Sequence, residues 1–249
     1  MIRLDRGKVT VPVDWAKRVA SKFTDYATFQ TKAADFEKLP INSQDRENGF
    51  KEYAPEVLPK ADFPQIWGEA KDELGKMSHR KCSYCESAIG HKGDGQVEHF
   101  KPKSLFPSFA YDWDNYFLAC GGCNRPKSNK WPKDGGYVRP DQKDPAKEFL
   151  FESDGKMKAV KEDSDAGRTM RDFRLNEGWL VYWRKLTIEM AVEDLEPIIR
   201  LLYPVDKESA RSKARSVVER YSNSKLPYSA AVTQCLRRAW GAACPDVPL

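Results

Sequence analysis

The chain has 249 residues and a net charge of +5, so it fits one sizeable or two small domains and permits a nucleic-acid partner without requiring one. Hydrophobic residues make up 40% and aromatic residues 12%, which supports a packed core and excludes wholesale disorder. The N-terminal segment lacks the apolar run of a signal peptide and no window is apolar enough to span a membrane, so we expect a cytoplasmic protein.

The N-terminal region, residues 1–78, is predicted to be mainly helical. Apolar side chains recur at three- to four-residue spacing across residues 14–38, with Asp14 as a candidate cap, and again across residues 65–78. Four prolines interrupt residues 40–64, which predicts a loop with at most one short helix.

A central region, residues 79–135, contains four of the six cysteines in two C-x-x-C pairs. A C-x-x-C turn offers zinc two soft ligands on one short loop, and two such turns complete a tetrahedral site with no open position. Clustered cysteines in a reducing cytoplasm are more often metal ligands than disulfides. We therefore predict a structural zinc; four buried free thiols are the alternative. The predicted zinc ligands are Cys82, Cys85, Cys120 and Cys123.

The segment between the two cysteine pairs has the pattern of a small metal-supported fold. "QVEHF" is typical of a strand, "NYFLAC" of a returning strand, and "NRPKSNK" of the start of a helix that tolerates Pro126 in its first turn. This order predicts a zinc-stabilised ββα-metal core embedded in a mostly helical framework, an α+β protein.

The C-terminal region, residues 136–249, begins with a Gly/Pro/Asp-rich loop. Two short apolar runs around Asp154-Gly155 then predict a hairpin. The remainder is predicted to be helical over residues 166–202, 206–222 and 228–242, with Cys235 as a core residue of the last helix.

The motif Glu98-His99, Asn115 and Asn124-x-x-Lys127 resembles that of the HNH endonucleases. Its last position carries Asn where many members carry His, and its first acid is Glu where Asp is more usual. The segments "CSYCE", "VEHFKPKS", "WDNYFLAC" and "AGRTMRDFRLNEGWL", within about residues 65 to 186, resemble the PtuB-type HNH proteins of Septu and some retron anti-phage systems. Those proteins work with an ATPase partner, PtuA.

The resemblance implies a role for each motif residue. His99 would be the general base, and Glu98 and Asn124 would hold one Mg²⁺ or Mn²⁺ through hard oxygen ligands. Asn115 would brace the loop and fix the orientation of the imidazole. Lys127 would offset phosphate charge near the helix start.

The other polar residues of the region are weaker candidates. Arg125 could share the role of Lys127, while the nearby lysines track phosphates or are solvated. Residues 79–133 hold nine Lys and Arg against five Asp and Glu, a surplus that favours a polyanion. His79 and His91 lack a neighbouring acid and are predicted to be surface residues. The nearby lysines that track phosphates or are solvated are Lys101, Lys103, Lys130 and Lys133.

The leading functional hypothesis is a metal-dependent endonuclease, with DNA as the expected substrate, acting in anti-phage defence with a PtuA-like ATPase. The chain has no G-x-x-x-x-G-K-[ST] motif, so any ATP dependence would come from that partner. One alternative is a ribonuclease effector with the same site, because the chemistry addresses the phosphate and not the sugar. Another is a zinc-stabilised nucleic-acid-binding module without catalysis.

Overall fold

The computed structural model describes residues 1, 3–90 and 95–249 as two compact units built from helices and two small antiparallel sheets. This mixed helix-and-sheet composition agrees with the predicted α+β class; the division into three regions stays a prediction. No helix in the described part of the chain combines the length and apolar character that crossing a bilayer requires. The first unit comprises Asp5–Arg80 and Gly90–Gly136, and the second comprises Met1–Leu4, Lys81–Ile89 and Tyr137–Leu249.

The N-terminal part of the first unit contains five α-helices, with 3-10 turns in the loops around them. The single helix predicted over residues 14–38 is in fact two, because Asp25 starts a new helix by accepting a hydrogen bond from the backbone N–H of Thr28 at 3.0 Å. Asp14 precedes the first helix but makes no side-chain capping bond. The helices are α1 (Trp15–Ala20), α2 (Tyr26–Lys38), α3 (Gln44–Asn48), α4 (Phe50–Tyr53) and α5 (Lys71–Met77).

An aromatic core joins these helices. Phe29 and Phe36 of α2 meet Phe50 of α4 at ring-centroid distances of 5.7 and 5.4 Å, and Phe63 packs on Phe29 at 6.3 Å. All four rings are buried, and edge-to-face pairs of this kind add stability beyond the apolar area they bury. The loop before α5 is thereby fixed to α2 and α4.

The predicted order of strand, loop, strand and helix is observed in the rest of the first unit. Strands β1 (Gly95–His99) and β2 (Tyr116–Cys120) pair antiparallel, with His99 opposite Tyr116, and α6 (Gly121–Lys127) follows β2 directly. The helix begins three residues before Asn124. Pro126 therefore lies in its last turn and not in its first, as the sequence had suggested.

The second unit contains a hairpin and the long C-terminal helices. The predicted hairpin at Asp154-Gly155 is confirmed, with Phe151 paired to Met157. Gly155 has a φ of +85°, and a Cβ atom there would lie 2.3 Å from the carbonyl oxygen of Val181. The elements are α7 (Pro145–Glu148), β3 (Phe149–Phe151), β4 (Met157–Ala159), α8 (Asp165–Asp172), α9 (Gly178–Pro197), a π-helical turn (Ile198–Leu202), α10 (Lys207–Tyr221) and α11 (Ser229–Ala243).

The helix predicted over residues 166–202 is interrupted between α8 and α9, where Arg174 adopts a φ of 51°. The buried face of α9 runs through Leu180 and Ile188, so three aromatic residues of the apolar pattern face outward. Arg184 lies on the buried face and donates to the backbone carbonyls of Gly155 and Leu175. The outward residues are Trp179, Tyr182 and Trp183, which are 44, 59 and 51% exposed.

Candidate active site and metal sites

One pocket of the first unit collects four of the predicted catalytic residues. It has a volume of about 310 Å³. Its walls include Glu98 and His99 from the end of β1, and Asn124 and Lys127 from α6. Because β1 pairs with β2 and α6 continues from β2, the local fold brings together residues that lie 25 or more positions apart in the sequence.

The imidazole of His99 is held by three neighbours. Its Nε2 atom lies 3.0 Å from the carbonyl oxygen of Ala110. The rings of Trp67 and Tyr116 meet it edge to face at centroid distances of 4.9 and 5.0 Å. The hydroxyl of Tyr116 donates to the same Ala110 carbonyl at 2.6 Å, so the ring and the carbonyl are fixed together.

The contact with Ala110 assigns the tautomer of His99. A carbonyl oxygen only accepts hydrogen bonds, so Nε2 carries the proton of the neutral ring and Nδ1 carries the lone pair. The pKa of His99 is lowered to about 3, chiefly by burial and also by the charges of Lys103 and Lys127, against the Ala110 contact. The ring is therefore neutral at physiological pH, which is the state that accepts a proton from water.

Glu98 and Lys127 form a buried ion pair at the base of the pocket. Their side chains are 0 and 1% exposed, and the Lys127 ammonium donates to the Glu98 carboxylate and to the backbone carbonyl of His99. Burial lowers the pKa of Lys127, and the adjacent carboxylate opposes that shift. Lys127 is the last residue of α6. It therefore lies at the C-terminal end of the helix and not near the helix start, where the sequence had suggested it would be. Its role toward a phosphate stays a prediction.

Asn124 presents an amide oxygen beside this pair. Its Nδ2 donates to Gln96 Oε1 at 2.8 Å, which leaves Oδ1 as the atom able to bind a cation. A carboxylate and an amide oxygen on one pocket wall are the ligand types that Mg²⁺ and Mn²⁺ prefer, so the donor set fits the predicted ion. Lys127 already balances the charge of Glu98, so a divalent cation would compete with that ammonium.

Asn115 is buried and is not part of the pocket wall; it joins two points, Lys101 and Phe109, of the loop between β1 and β2. Its Oδ1 accepts a hydrogen bond from the backbone N–H of Lys101 at 2.8 Å. Its Nδ2 donates to the carbonyls of Lys101 at 3.0 Å and of Phe109 at 2.9 Å. Phe109 immediately precedes Ala110, so the amide holds the backbone that contacts His99. This placement is compatible with the predicted bracing role.

The four cysteine thiols lie close enough together to hold one metal ion. Their sulfur atoms all fall within 4.8 Å of one another, and three of the four residues are buried. Sulfur atoms about 2.3 Å from a tetrahedral zinc ion would lie about 3.8 Å apart, so the cluster is compatible with the predicted structural zinc. Cys235 lies apart from this cluster, buried in α11 as predicted. The cluster consists of Cys82, Cys85, Cys120 and Cys123.

Comparison with known proteins identifies the class of the domain. Residues 82–130 match the family model described as HNH endonuclease, so this stretch carries an HNH endonuclease domain. The chain is similar to Septu protein PtuB of Bacillus thuringiensis, at 30% identity over 142 residues that cover 55% of this chain and 53% of that protein. It is also similar to Septu protein PtuB of Bacillus mycoides (strain KBAB4), at 25% identity over 213 residues, 66% of this chain and 72% of that protein. The first match thus spans about half the length of the relative.

Several contacts of the pocket had no recognisable signal in the sequence. Trp67 lies in a 3-10 turn before α5, and Ala110 contributes only a backbone carbonyl. Lys103 lines the pocket although its sequence context matches that of other lysines. His79, predicted to be a surface residue, is half-buried, and His91 lies outside the described residues.

Proposed function

We propose that this chain is a metal-dependent HNH endonuclease that hydrolyses phosphodiester bonds of nucleic acid, with DNA as the expected substrate. The observation that carries the proposal is the imidazole of His99, which the Ala110 carbonyl orients through Nε2 in the same pocket as Glu98 and Asn124. The HNH endonuclease match over residues 82–130 supports it independently.

In the proposed reaction, Nδ1 of His99 takes a proton from the attacking water as the new P–O bond forms. The P–O3′ bond breaks and the leaving oxygen takes up a proton from solvent. Tyr116 and Asn115 act indirectly, because they hold the Ala110 carbonyl and the backbone next to it. A bound Mg²⁺ or Mn²⁺, held by Glu98 and Asn124, would supply Lewis-acid stabilisation of the phosphate and of the leaving oxygen.

Two alternatives use the same structure. A ribonuclease effector would use the same pocket, because none of the named groups depends on a 2′-hydroxyl. A zinc-stabilised binding module would use the surplus of Lys and Arg in residues 79–133 to bind nucleic acid without cleaving it. The second alternative is disfavoured because binding alone does not require a histidine fixed in one tautomer beside a carboxylate and an amide oxygen.

We further propose that the nuclease acts in anti-phage defence with a PtuA-like ATPase. The similarity to two Septu proteins supports the defence role. The ATPase partner follows from the resemblance to PtuB-type proteins and agrees with the lack of a P-loop motif in the chain. The helical residues 1–78 and 160–249 are the proposed docking surface, because they exceed what a small ββα core needs.

The test is a cleavage assay on plasmid DNA and on total RNA, with Mg²⁺ or Mn²⁺, in the presence and absence of the ATPase. The matched control is the His99→Ala variant prepared in the same way, which identifies contaminating nucleases. We expect cleavage of DNA by the wild-type protein alone. RNA cleavage without DNA cleavage would support the ribonuclease alternative, and binding without cleavage of either substrate would support the binding module.

A further inference from the structure

Lys103 differs from the other cations of the pocket in its surroundings. The half-buried side chain lines the pocket that contains His99, and its ammonium lies over the rings of Phe63 at 5.0 Å and Trp67 at 5.3 Å. Trp67 is also the ring that contacts His99, so one aromatic side chain positions both the cation and the imidazole. The aromatic faces hold the ammonium without neutralising its charge.

No carboxylate among the described residues forms an ion pair with Lys103. The acid whose charge acts on it, Asp62, is paired with Lys51 at 3.0 Å. Burial lowers the pKa of Lys103, while the charge of Asp62 opposes the shift. A cation that is partly stripped of water and not matched by an anion gains more from a bound phosphate than a fully solvated lysine does.

The two cations predicted to offset phosphate charge are placed differently. Lys127 is buried and already donates to Glu98 and to the backbone of His99. Arg125 is exposed, and its Nε donates to the carbonyl of Gly121 within the same helix. Among the described residues, Lys127 and Arg125 each donate a hydrogen bond to a carboxylate or to a backbone carbonyl. Lys103 is the lysine or arginine of the pocket lining whose side-chain nitrogen does neither.

We propose that Lys103 is the residue that contacts the scissile phosphate, offsetting the charge that develops on its non-bridging oxygens as water attacks. The proposal rests on the nuclease function proposed above and names the cation of that site. It reverses the sequence expectation, in which Lys127 had this role and Lys103 was an ordinary lysine.

The test uses Lys103→Met with Lys156→Met as its control. Lys156 lies between β3 and β4, outside the pocket, and its exposed ammonium pairs with Asp154 at 3.3 Å. Each substitution removes one positive charge. We expect kcat for nucleic-acid cleavage to fall about 10²-fold in Lys103→Met with a smaller change in KM, because a charge that stabilises the transition state is lost. Lys156→Met should stay within about twofold of wild type.

Two further measurements make the result decisive. Lys103→Arg should recover part of the lost kcat, because the charge is retained, and circular dichroism should show that all variants fold. In the His99→Ala background, Lys103→Met should reduce the slope of log affinity against log salt for a fluorescent oligonucleotide by about one unit, as expected for one lost phosphate contact.

The outcomes separate the two proposals. If wild type cleaves and Lys103→Met cleaves as Lys156→Met does, the role of Lys103 is wrong and the nuclease function stands. If wild type cleaves neither DNA nor RNA, the nuclease function fails, and the salt slope still decides whether Lys103 contacts a phosphate. An unchanged slope, or no binding at all, overturns the assignment of Lys103.

Discussion

The Nε2 atom of His99 lies 3.0 Å from the carbonyl oxygen of Ala110, and this contact assigns different tasks to the two ring nitrogens. Nε2 anchors the ring through its proton, and Nδ1 is left with the lone pair that removes a proton from water in the proposed reaction. The anchor is itself held, because Tyr116 donates to the same carbonyl and Asn115 holds the preceding residue, Phe109. The geometry of the base therefore depends on the loop and not only on the strand that carries His99.

Replacement of His99 by Ala should abolish the base without removing a metal ligand. We expect a folded protein that keeps about one zinc ion, binds nucleic acid and cleaves at least about 10²-fold more slowly. Glu98→Ala and Asn124→Ala should also impair cleavage but recover partly when Mg²⁺ or Mn²⁺ is raised. The measurement is a metal titration of cleavage for the three variants. Restoration of His99→Ala by metal alone would show that His99 is not the base.

Replacement of Cys82 or Cys120 by Ser should remove more than activity. The free energy of zinc binding is coupled to folding in small zinc domains and amounts to about 10 kcal/mol or more. We expect zinc loss by elemental analysis together with insolubility or loss of the central fold. Cys235→Ser, which alters a cysteine outside the cluster, should retain its zinc. A soluble and fully active Cys120→Ser protein would contradict the structural zinc.

Replacement of Lys127 by Met should lower the free energy of unfolding by about 3–5 kcal/mol, because the carboxylate of Glu98 is left buried without its partner. The double variant Lys127→Met/Glu98→Gln should recover much of that loss, since no buried charge remains. Urea unfolding measures the stability of both variants. EDTA is added so that no divalent cation takes the place of the Lys127 ammonium. Equal stabilities of the single and double variants would show that the pair is not coupled.

Replacement of Gly155 by Ala should lower the free energy of unfolding by at least about 2 kcal/mol, because the backbone is left-handed there and the new methyl group meets Val181. Gly241→Ala in α11 is the matched control, since nothing lies within 4 Å of its added Cβ. A glycine-to-alanine change inside a helix should raise the free energy of unfolding by about 0.5–1 kcal/mol. Thermal unfolding of the two variants should therefore show shifts of opposite sign.

Co-expression with a PtuA-like ATPase from the same genome should give a complex that co-elutes on size-exclusion chromatography. The His99→Ala variant should form the same complex, because docking is proposed on the helical residues 1–78 and 160–249 and not in the pocket. Separate elution of the two proteins would contradict the proposed partnership.

Local signals in the sequence were sufficient for several elements of the second unit. The hairpin follows from Asp154-Gly155 between two apolar runs, and α10 begins where Asp206 caps the backbone N–H of Ser209. The interruption between α8 and α9 could not be predicted, because Arg174 adopts a left-handed backbone without being glycine or asparagine. The outward position of Trp183 had no signal either, since an aromatic residue at helical spacing is more often part of a core.

The candidate site shows the same division between local and tertiary information. The motif residues Glu98, His99 and Asn124 were found in the sequence, and the structure places them on one pocket. The tautomer of His99 depends on a backbone carbonyl 11 residues away, which no side-chain pattern encodes. Lys101 and Lys103 are equivalent in the sequence, and only the structure shows that Lys103 lines the pocket and Lys101 does not.

The amide of Asn115 closes the loop between Lys101 and Phe109 by bonding to both of its ends. A loop closed in this way keeps its ends in place whatever its interior contains, and lengthening it costs only about 0.6 kcal/mol for each doubling. Residues 104–108, which follow the pocket-lining Lys103, are therefore open to exchange and insertion during evolution, while the imidazole that the loop anchors stays where it is. Related proteins could in this way acquire new substrate preferences by altering one segment, without having to rebuild the proposed base.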